Sequence, residues 1–470
     1  MTRLDRFFEI AARGSTIGTE IRGGVVTFIA MAYIVVLNPI ILSGTADVDG
    51  HELAFTQVSA VTSMAAGVMT ILFGVVARLP FAFAAGLGIN SFLASSVVGD
   101  LTWPEAMGLV VIDGLIILAL AATGLRRLIF DAVPMPMKLA ITAGIGLFIL
   151  FVGLIDAGFV GSTRLPSPPV GLGADGQGSI NAVPTVVFAV TLLTTGILMA
   201  RKVRGAILIG LAAGTVVAVV AEAIWHLGPA AENKGGWSLS VPTLSGSPFA
   251  LPDLSLVGDV SLNSFSRIGI LAAVMLVFTL VFTNFFDAMG SFTGLARQAG
   301  LSDEQGNFPR LQAALVVEGA GAVAGGAVSA SSNTVFVESG AGIGEGARTG
   351  LASLVTGGLF LAAMFLTPLA AIVPSEVAAA ALVVVGTMMA SVLREIDVSD
   401  FSVALPVVLT VAVMPLSYSI ANGIGVGFIA WAVVRSASGK AREISPLLWV
   451  VAAGFLLYFA RGWIDTLIRV

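Results

Sequence analysis

Two carboxylates stand where carboxylates are expensive. Asp287 lies in LVFTNFFDAMGSF and Glu338 in NTVFVESGAG, both within stretches apolar enough for a bilayer, where an acidic side chain costs about 2.5–3.5 kcal/mol on insertion scales. Two protonatable groups facing one cavity could accept hydrogen bonds from N–H donors of a ligand and take up a proton, which is what a proton-coupled carrier needs. The competing reading is a buried carboxylate capping a helix N-terminus, favoured by the neighbouring glycines. Neutral polar residues extend the set. Asn90 follows the glycines of PFAFAAGLGIN, Asn284 precedes Asp287 by three residues on the same helical face, and Thr27, Met31 and Asn38 line the first apolar stretch. Phe81, Phe83, Phe285, Phe286 and Phe336 could stack on a flat ring, although a lone aromatic is more often core. Asp113 and Glu318 lie deep in apolar runs, where a hydrogen bond to a neighbouring helix suffices to explain them. Glu222 and Glu345 are expected at an interface, solvated.

Other chemistries fall away. There is no cysteine, hence no disulfide, thiolate nucleophile or thiolate metal site. The two histidines, His51 and His226, lie in polar connections, so no histidine relay or His-ligated metal is available inside a membrane. GAGIGEG at 340–346 looks like a dinucleotide loop but no βαβ unit surrounds it. No GxxxxGK[ST] motif exists to drive an ATP pump, and no nucleophile–base pair suggests an enzyme. A net charge of −5 without a basic tract argues against nucleic acid.

The elements that would position these residues are membrane spans. Of 470 residues, 57% are hydrophobic and only 11% charged, against roughly 25% charged in an ordinary soluble protein. Spans need about 20 apolar residues each. About fourteen segments can be read, at 20–43, 55–77, 84–99, 104–123, 134–156, 183–200, 205–226, 267–290, 308–325, 338–346, 349–371, 376–392, 401–418 and 421–435. A further run at 447–460 is either an interfacial helix or another span. Arg3, Arg6, Arg13 and Arg22 place the N-terminus in the cytoplasm by the positive-inside rule. Most later Lys and Arg residues, among them Arg78, Arg126, Arg127, Arg201, Lys202, Arg204, Arg348, Arg394 and Arg435, then fall at cytoplasmic ends. Arg164, Lys234 and Arg267 fall outside, and Arg461 and Arg469 are unassigned. The long Gly/Pro-rich loops 157–182 and 227–265 read as external caps.

Seven segments, a long loop and seven more imply an inverted repeat, because an odd number makes the second half enter from the opposite side. The third segment of each half is interrupted. LPFAFAAGLGINSFLASSVVG (79–99) and AVSASSNTVFVESGAGIGEG (327–346) each begin extended and run through glycines into a short helix. Broken backbone is tolerated at membrane depth only inside protein or beside water. A matched pair of such segments points to a binding site at the midplane, with half-helix N-termini aimed at a ligand.

At TEIRGGVVTFIAMAYIVVLNP (19–39), PFAFAAGLGINSF (80–92), FFDAMGSFTGLARQAG (285–300), VESGAGIGEGARTGLASLVTGGLFLAAMFLTPL (337–369) and MPLSYSIANGIGVGF (414–428) the chain resembles the AzgA-like purine permeases of the nucleobase–ascorbate transporter superfamily. The resemblance runs in order over nearly the whole chain. It implies an all-α polytopic fold of fourteen segments in a 7+7 inverted repeat, with strand-plus-half-helix units as the third and tenth. A core domain would comprise 1–132 and 266–373, and a gate domain 133–265 and 374–470. It also implies elevator-type uptake of adenine, guanine or hypoxanthine by proton symport across a bacterial plasma membrane, often as a homodimer through the gate, with no cofactor beyond the proton gradient. The family's acidic substrate contacts fall on Asp287 and Glu338, which would also couple protons, and its third-segment asparagine on Asn90. Backbone N–H groups near Ala85, Gly86 and Ser339 would meet acceptors of the base. Many relatives carry a second acid where this chain has Asn284. The alternatives are a uracil or xanthine carrier of the sister branch, or an anion carrier of the same fold, which would want a cation in place of Glu338.

Overall fold

The computed structural model describes residues 3–123, 132–163, 168–233, 235–243, 247–301, 308 and 310–468. Arg126, Arg127, Arg164, Lys234 and Arg469 of the orientation analysis lie outside the described residues, as do the side chains of Phe286 and Arg461. Nine of the described helices are long and apolar enough to cross a membrane, beginning with the broken Ile17–Ser43 unit and ending with Ile420–Ala437. Leu87–Val97, Ile270–Phe285, Leu311–Ala327, Phe401–Leu416 and Pro446–Ala460 are shorter apolar helices. The chain is a multi-pass helical membrane protein. The run at 447–460 belongs to one continuous helix, Pro446–Ile468.

The first apolar stretch is two helices, Ile17–Met31 and Ile34–Ser43, separated at Ala32 and Tyr33. Pro39 sits inside the second helix, where it lacks an N–H to give the preceding turn. The break matters because it turns the Tyr33 ring inward, fully buried.

The two interrupted segments meet. Strand β1 (Phe83–Ala85) pairs antiparallel with a strand from the other half, Asn333–Val335, so that Phe83 faces Val335, Ala84 faces Thr334 and Ala85 faces Asn333. All six residues are buried. Between them in the chain, a second hairpin of β2 (Val160–Ser162) and β3 (Val170–Leu172) caps the 157–182 connection, so Asn333–Val335 is β4. A two-stranded ribbon leaves open edges, which hydrocarbon cannot satisfy, and side chains close them here. The Phe83 N–H donates to Thr70 Oγ1 at 2.9 Å, and that hydroxyl lies 3.2 Å from the Phe83 carbonyl. Ser353 Oγ lies 2.7 Å from the Leu79 carbonyl and 2.9 Å from that of Phe81.

Helices around the ribbon pack in two sets. Trp103–Thr123 lies on Leu311–Ala327 and on Ile270–Gln298, while Gly350–Ala363 lies on Phe55–Val76 and on Ile17–Met31. Elsewhere Met135–Asp156 packs on Ser375–Ala390 and Phe401–Leu416, Val183–Ala200 on Ala206–Trp225 and Ser375–Ala390, and Phe401–Leu416 on Ile420–Ala437. Small residues let backbones approach closely. An added Cβ at Gly74 would come 2.6 Å from the Gly350 carbonyl, and one at Gly357 would come 2.6 Å from that of Gly67.

Two acids expected in solvent are instead structural. Glu345 has a side chain only 8% exposed and pairs with Arg22 at 2.9 Å and with Arg204, tying three segments together. Glu222 accepts the N–H groups of Leu227 (3.0 Å) and Gly228 and the Trp237 indole (2.9 Å), folding the next loop back over its helix end. Arginines from other segments reach Glu345, and the N–H groups of the following loop claim Glu222, before water does.

Candidate substrate-binding site

Both half-helices leave the ribbon from opposite ends, because its strands are antiparallel. Beyond β1, Gly86 caps the short helix Leu87–Phe92, continued by a π-helical turn at Leu93–Val97. Beyond β4, Glu338 stands at the N-cap position of Ser339–Gly344 without a side-chain capping bond. Helix Ile270–Gln298 runs alongside β4 and this second half-helix, bringing Asp287 into the region.

Glu338 and Asp287 are each half-buried and close enough to interact electrostatically. Tyr33 Oη donates to Glu338 Oε1 at 2.6 Å, a short bond of the charge-assisted kind. Next to Glu338, Val337 is 51% exposed, so the chain leaves the buried ribbon for the surface at this point. Tyr33 was not among the residues singled out from the sequence. Its signal was slight: it is one of three tyrosines and lies two positions beyond Met31.

Asn90 is fully buried and donates to Asn38 Oδ1 at 2.5 Å, while Asn38 donates to Thr62 Oγ1 (2.7 Å) and the Ala330 carbonyl (3.2 Å). The Asn90 Oδ1 atom has no partner among the described residues. A buried acceptor left open costs about 1–3 kcal/mol, so it is a natural seat for a donor. Thr27 and Met31 are buried on the first helix, with Thr27 against Gly342 of the second half-helix. Phe336 is core, 8% exposed.

Other assignments shift. The Gly86 N–H bonds the Ser332 carbonyl at 2.9 Å, and Ala85 belongs to the paired strand. The Ser339 N–H bonds the Phe336 carbonyl (3.1 Å), and its hydroxyl accepts the Ala82 N–H (2.9 Å). The Gly86 and Ser339 N–H groups are spent closing the ribbon, since strand ends and a tight turn use them first, whereas Ala85 is one residue out of step with the bonded Gly86–Ser332 pair, so its N–H points away from β4. The Asn284 amide nitrogen is likewise committed, while its Oδ1 has no partner among the described residues. Its amide nitrogen donates to Ser332 Oγ (2.7 Å) and Asp113 Oδ2 (3.1 Å), clamping β4 to Trp103–Thr123. Asp113 thus bonds a neighbouring helix, as the sequence led one to expect, whereas Glu318 accepts from Thr334 Oγ1 of strand β4 at 2.5 Å. Among the described residues no group of three or more metal-binding side chains forms.

A carboxylate pair at a buried broken-strand ribbon between membrane helices is the arrangement expected of a membrane permease. A permease family model (Xan_ur_permease) matches residues 18–426, and the chain belongs to this family, the nucleobase–ascorbate transporters. It is 38% identical over 459 residues to the guanine/hypoxanthine permease PbuG of Bacillus subtilis, covering 96% of this chain and 98% of the relative. Against the adenine permease AdeP of Escherichia coli it is 34% identical, covering 97% and 95%. Relatives of this kind are transporters, not enzymes. Among solved structures, the transmembrane domain of the cyanobacterial bicarbonate transporter BicA superposes with a TM-score of 0.62 at 16% identity, covering 86% of this chain and 97% of that one, a likeness of fold alone.

Proposed function

We propose that this protein carries purine nucleobases of the adenine, guanine and hypoxanthine class into the cell by proton symport. The observation that carries the reading is the Glu338–Tyr33–Asp287 arrangement beside the β1–β4 ribbon, in a chain whose full-length relatives are named purine permeases. Glu338 and Asp287 accept ring N–H or exocyclic amine donors, and proton binding at one of them removes a buried charge before the loaded site moves. Asn90 Oδ1 orients the base. The leading N–H groups of Leu87–Phe92, which have no acceptor within their own helix, take the place of Gly86 beside Ala85 as donors to the base.

The packing supports a fourteen-segment inverted repeat. Trp103–Thr123 on Leu311–Ala327 is matched by Gly350–Ala363 on Phe55–Val76, the same pair with each member moved seven segments along. Phe401–Leu416 on Met135–Asp156 is matched in the same way by Val183–Ala200 on Ser375–Ala390. The set around the ribbon is the core (1–132 and 266–373), and the other is the gate (133–265 and 374–470). Elevator movement of core against gate, a homodimer through the gate and a cytoplasmic N-terminus in a bacterial plasma membrane complete the reading.

The bicarbonate-transporter fold raises an anion carrier as the second reading. An anion would meet two carboxylates here, so the purine reading is favoured. Uptake of labelled adenine, guanine, hypoxanthine and uracil into cells lacking their own carriers separates the possibilities. Purine accumulation is expected; accumulation of uracil alone would move the protein to the sister branch. Tyr33→Phe should raise KM for the purine about tenfold, the value of one bond to a charged group, at unchanged membrane level. An unchanged KM would remove Tyr33 from the site.

A further inference from the structure

A cavity of 510 Å3 lies apart from the acid pair, between the two sets of helices. Its walls include Ile40, Ser91 and Ser95 from the ribbon side and Asp156, Ser375 and Tyr418 from the other. Since Ile40 and the adjoining residues close the far end of the first span, the cavity opens on the face opposite the N-terminus, external in the proposed orientation.

Three features mark it as a built site. The Asp156 carboxylate lines the cavity and makes no hydrogen bond among the described residues, although it lies close enough to Glu376 and Tyr418 to interact with both electrostatically. Glu376 is already committed, accepting the Ser238 N–H at 2.9 Å. Ser91 is 2% exposed and its hydroxyl has no partner among the described residues. Tyr418 sits between Phe401–Leu416 and Ile420–Ala437 with a left-handed φ of 52°, its ring edge-on to Phe148 at 5.5 Å and Phe151 at 6.2 Å. Its carbonyl accepts the Ser96 hydroxyl at 3.2 Å, a bond that joins the two walls beside the cavity. An open carboxylate, an unpartnered hydroxyl and an aromatic ring around one space suit a flat, neutral heterocycle rich in N–H donors.

We propose that this cavity is a second binding station for the nucleobase, which meets Asp156, Ser91 and Tyr418 before it reaches Glu338. The proposal rests on the purine reading above. Asp156 accepts a ring N–H, the Ser91 hydroxyl serves an acceptor on the base, and Tyr418 supplies an apolar wall. Because the walls come from both sets of helices, any movement of one set against the other remodels the station and hands the base inward.

The absence of cysteine makes the test direct. Ser95→Cys places a single thiol on the cavity wall, to be labelled in intact cells with a membrane-impermeant maleimide, with and without hypoxanthine. Labelling should occur without the base and slow about tenfold or more when the base is far above its dissociation constant. The protection should survive Glu338→Ala at the same half-protecting concentration. Asp156→Asn should raise that concentration about tenfold. No labelling of the free thiol, loss of protection in Glu338→Ala, or an unchanged half-protecting concentration in Asp156→Asn would each overturn the second station. Ala94→Cys, which lines the same cavity, gives the same readout if Ser95→Cys does not reach the membrane. Failure of the wild type to take up purines is scored separately and would instead sink the proposed function.

Discussion

Glu338→Gln should lower purine uptake by about two orders of magnitude or more while leaving the protein in the membrane at wild-type level. The amide keeps the shape of the side chain and can still accept the Tyr33 hydroxyl, held at 2.6 Å in the wild type, so the ribbon and the Ser339–Gly344 half-helix keep their geometry. The substitution replaces an anionic acceptor by a neutral group with its own N–H donors. Each bond to the base that relied on the charge falls from about 1.5–3 to about 0.5–1.5 kcal/mol, and the amide cannot take up the coupling proton. Asp287, the electrostatic neighbour of Glu338, cannot replace it, because it approaches from a different helix. Uptake of labelled hypoxanthine, normalised to surface protein, is the measurement; near-normal KM and rate in Glu338→Gln would remove this residue from the site.

The second large effect is structural. Gly350→Leu should abolish the folded protein, through the crossing of Phe55–Val76 with Gly350–Ala363. At this point each backbone packs on the other: a Cβ at Gly350 would run into the Gly74 carbonyl, and one at Gly67 would stand 2.9 Å from the Gly357 carbonyl. Overpacking a core ordinarily costs about 1–3 kcal/mol because side chains shift; a backbone carbonyl has no such freedom, so the cost lies at or above the top of that range. Gly358→Leu is the control, since a Cβ there meets nothing within 4 Å. Fluorescence-monitored size-exclusion of detergent extracts should show a monodisperse peak for Gly358→Leu and none for Gly350→Leu. Equal peaks and equal melting would contradict the close crossing.

What could be read from the sequence is what composition and periodicity encode. The apolar runs, the interrupted pair at 79–99 and 327–346, and the two misplaced acids all stand out, because burial in lipid penalises charge and broken backbone. Pairing of Phe83 with Val335 does not stand out, since register between strands some 250 residues apart depends on helices that place them. Helical spacing puts Asn284 on the Asp287 face. Spacing does not show that Ser332 and Asp113 take its amide nitrogen and leave Oδ1 as the open atom. Tyr33 was hidden for a related reason: a continuous first span gives no cause to turn it inward, and the break at Ala32 and Tyr33 that does so has no glycine or proline at its centre. Glu345 misled by position, since a carboxylate near a membrane face is solvated only if no arginine from another segment reaches it.

The most direct test of the account is transport by the purified protein in proteoliposomes, with labelled hypoxanthine outside and an inward proton gradient imposed. The account predicts accumulation above the external concentration, collapsing to equilibration with a protonophore and absent in Glu338→Gln. Uptake that only equilibrates, indifferent to the gradient and to Glu338, would contradict it.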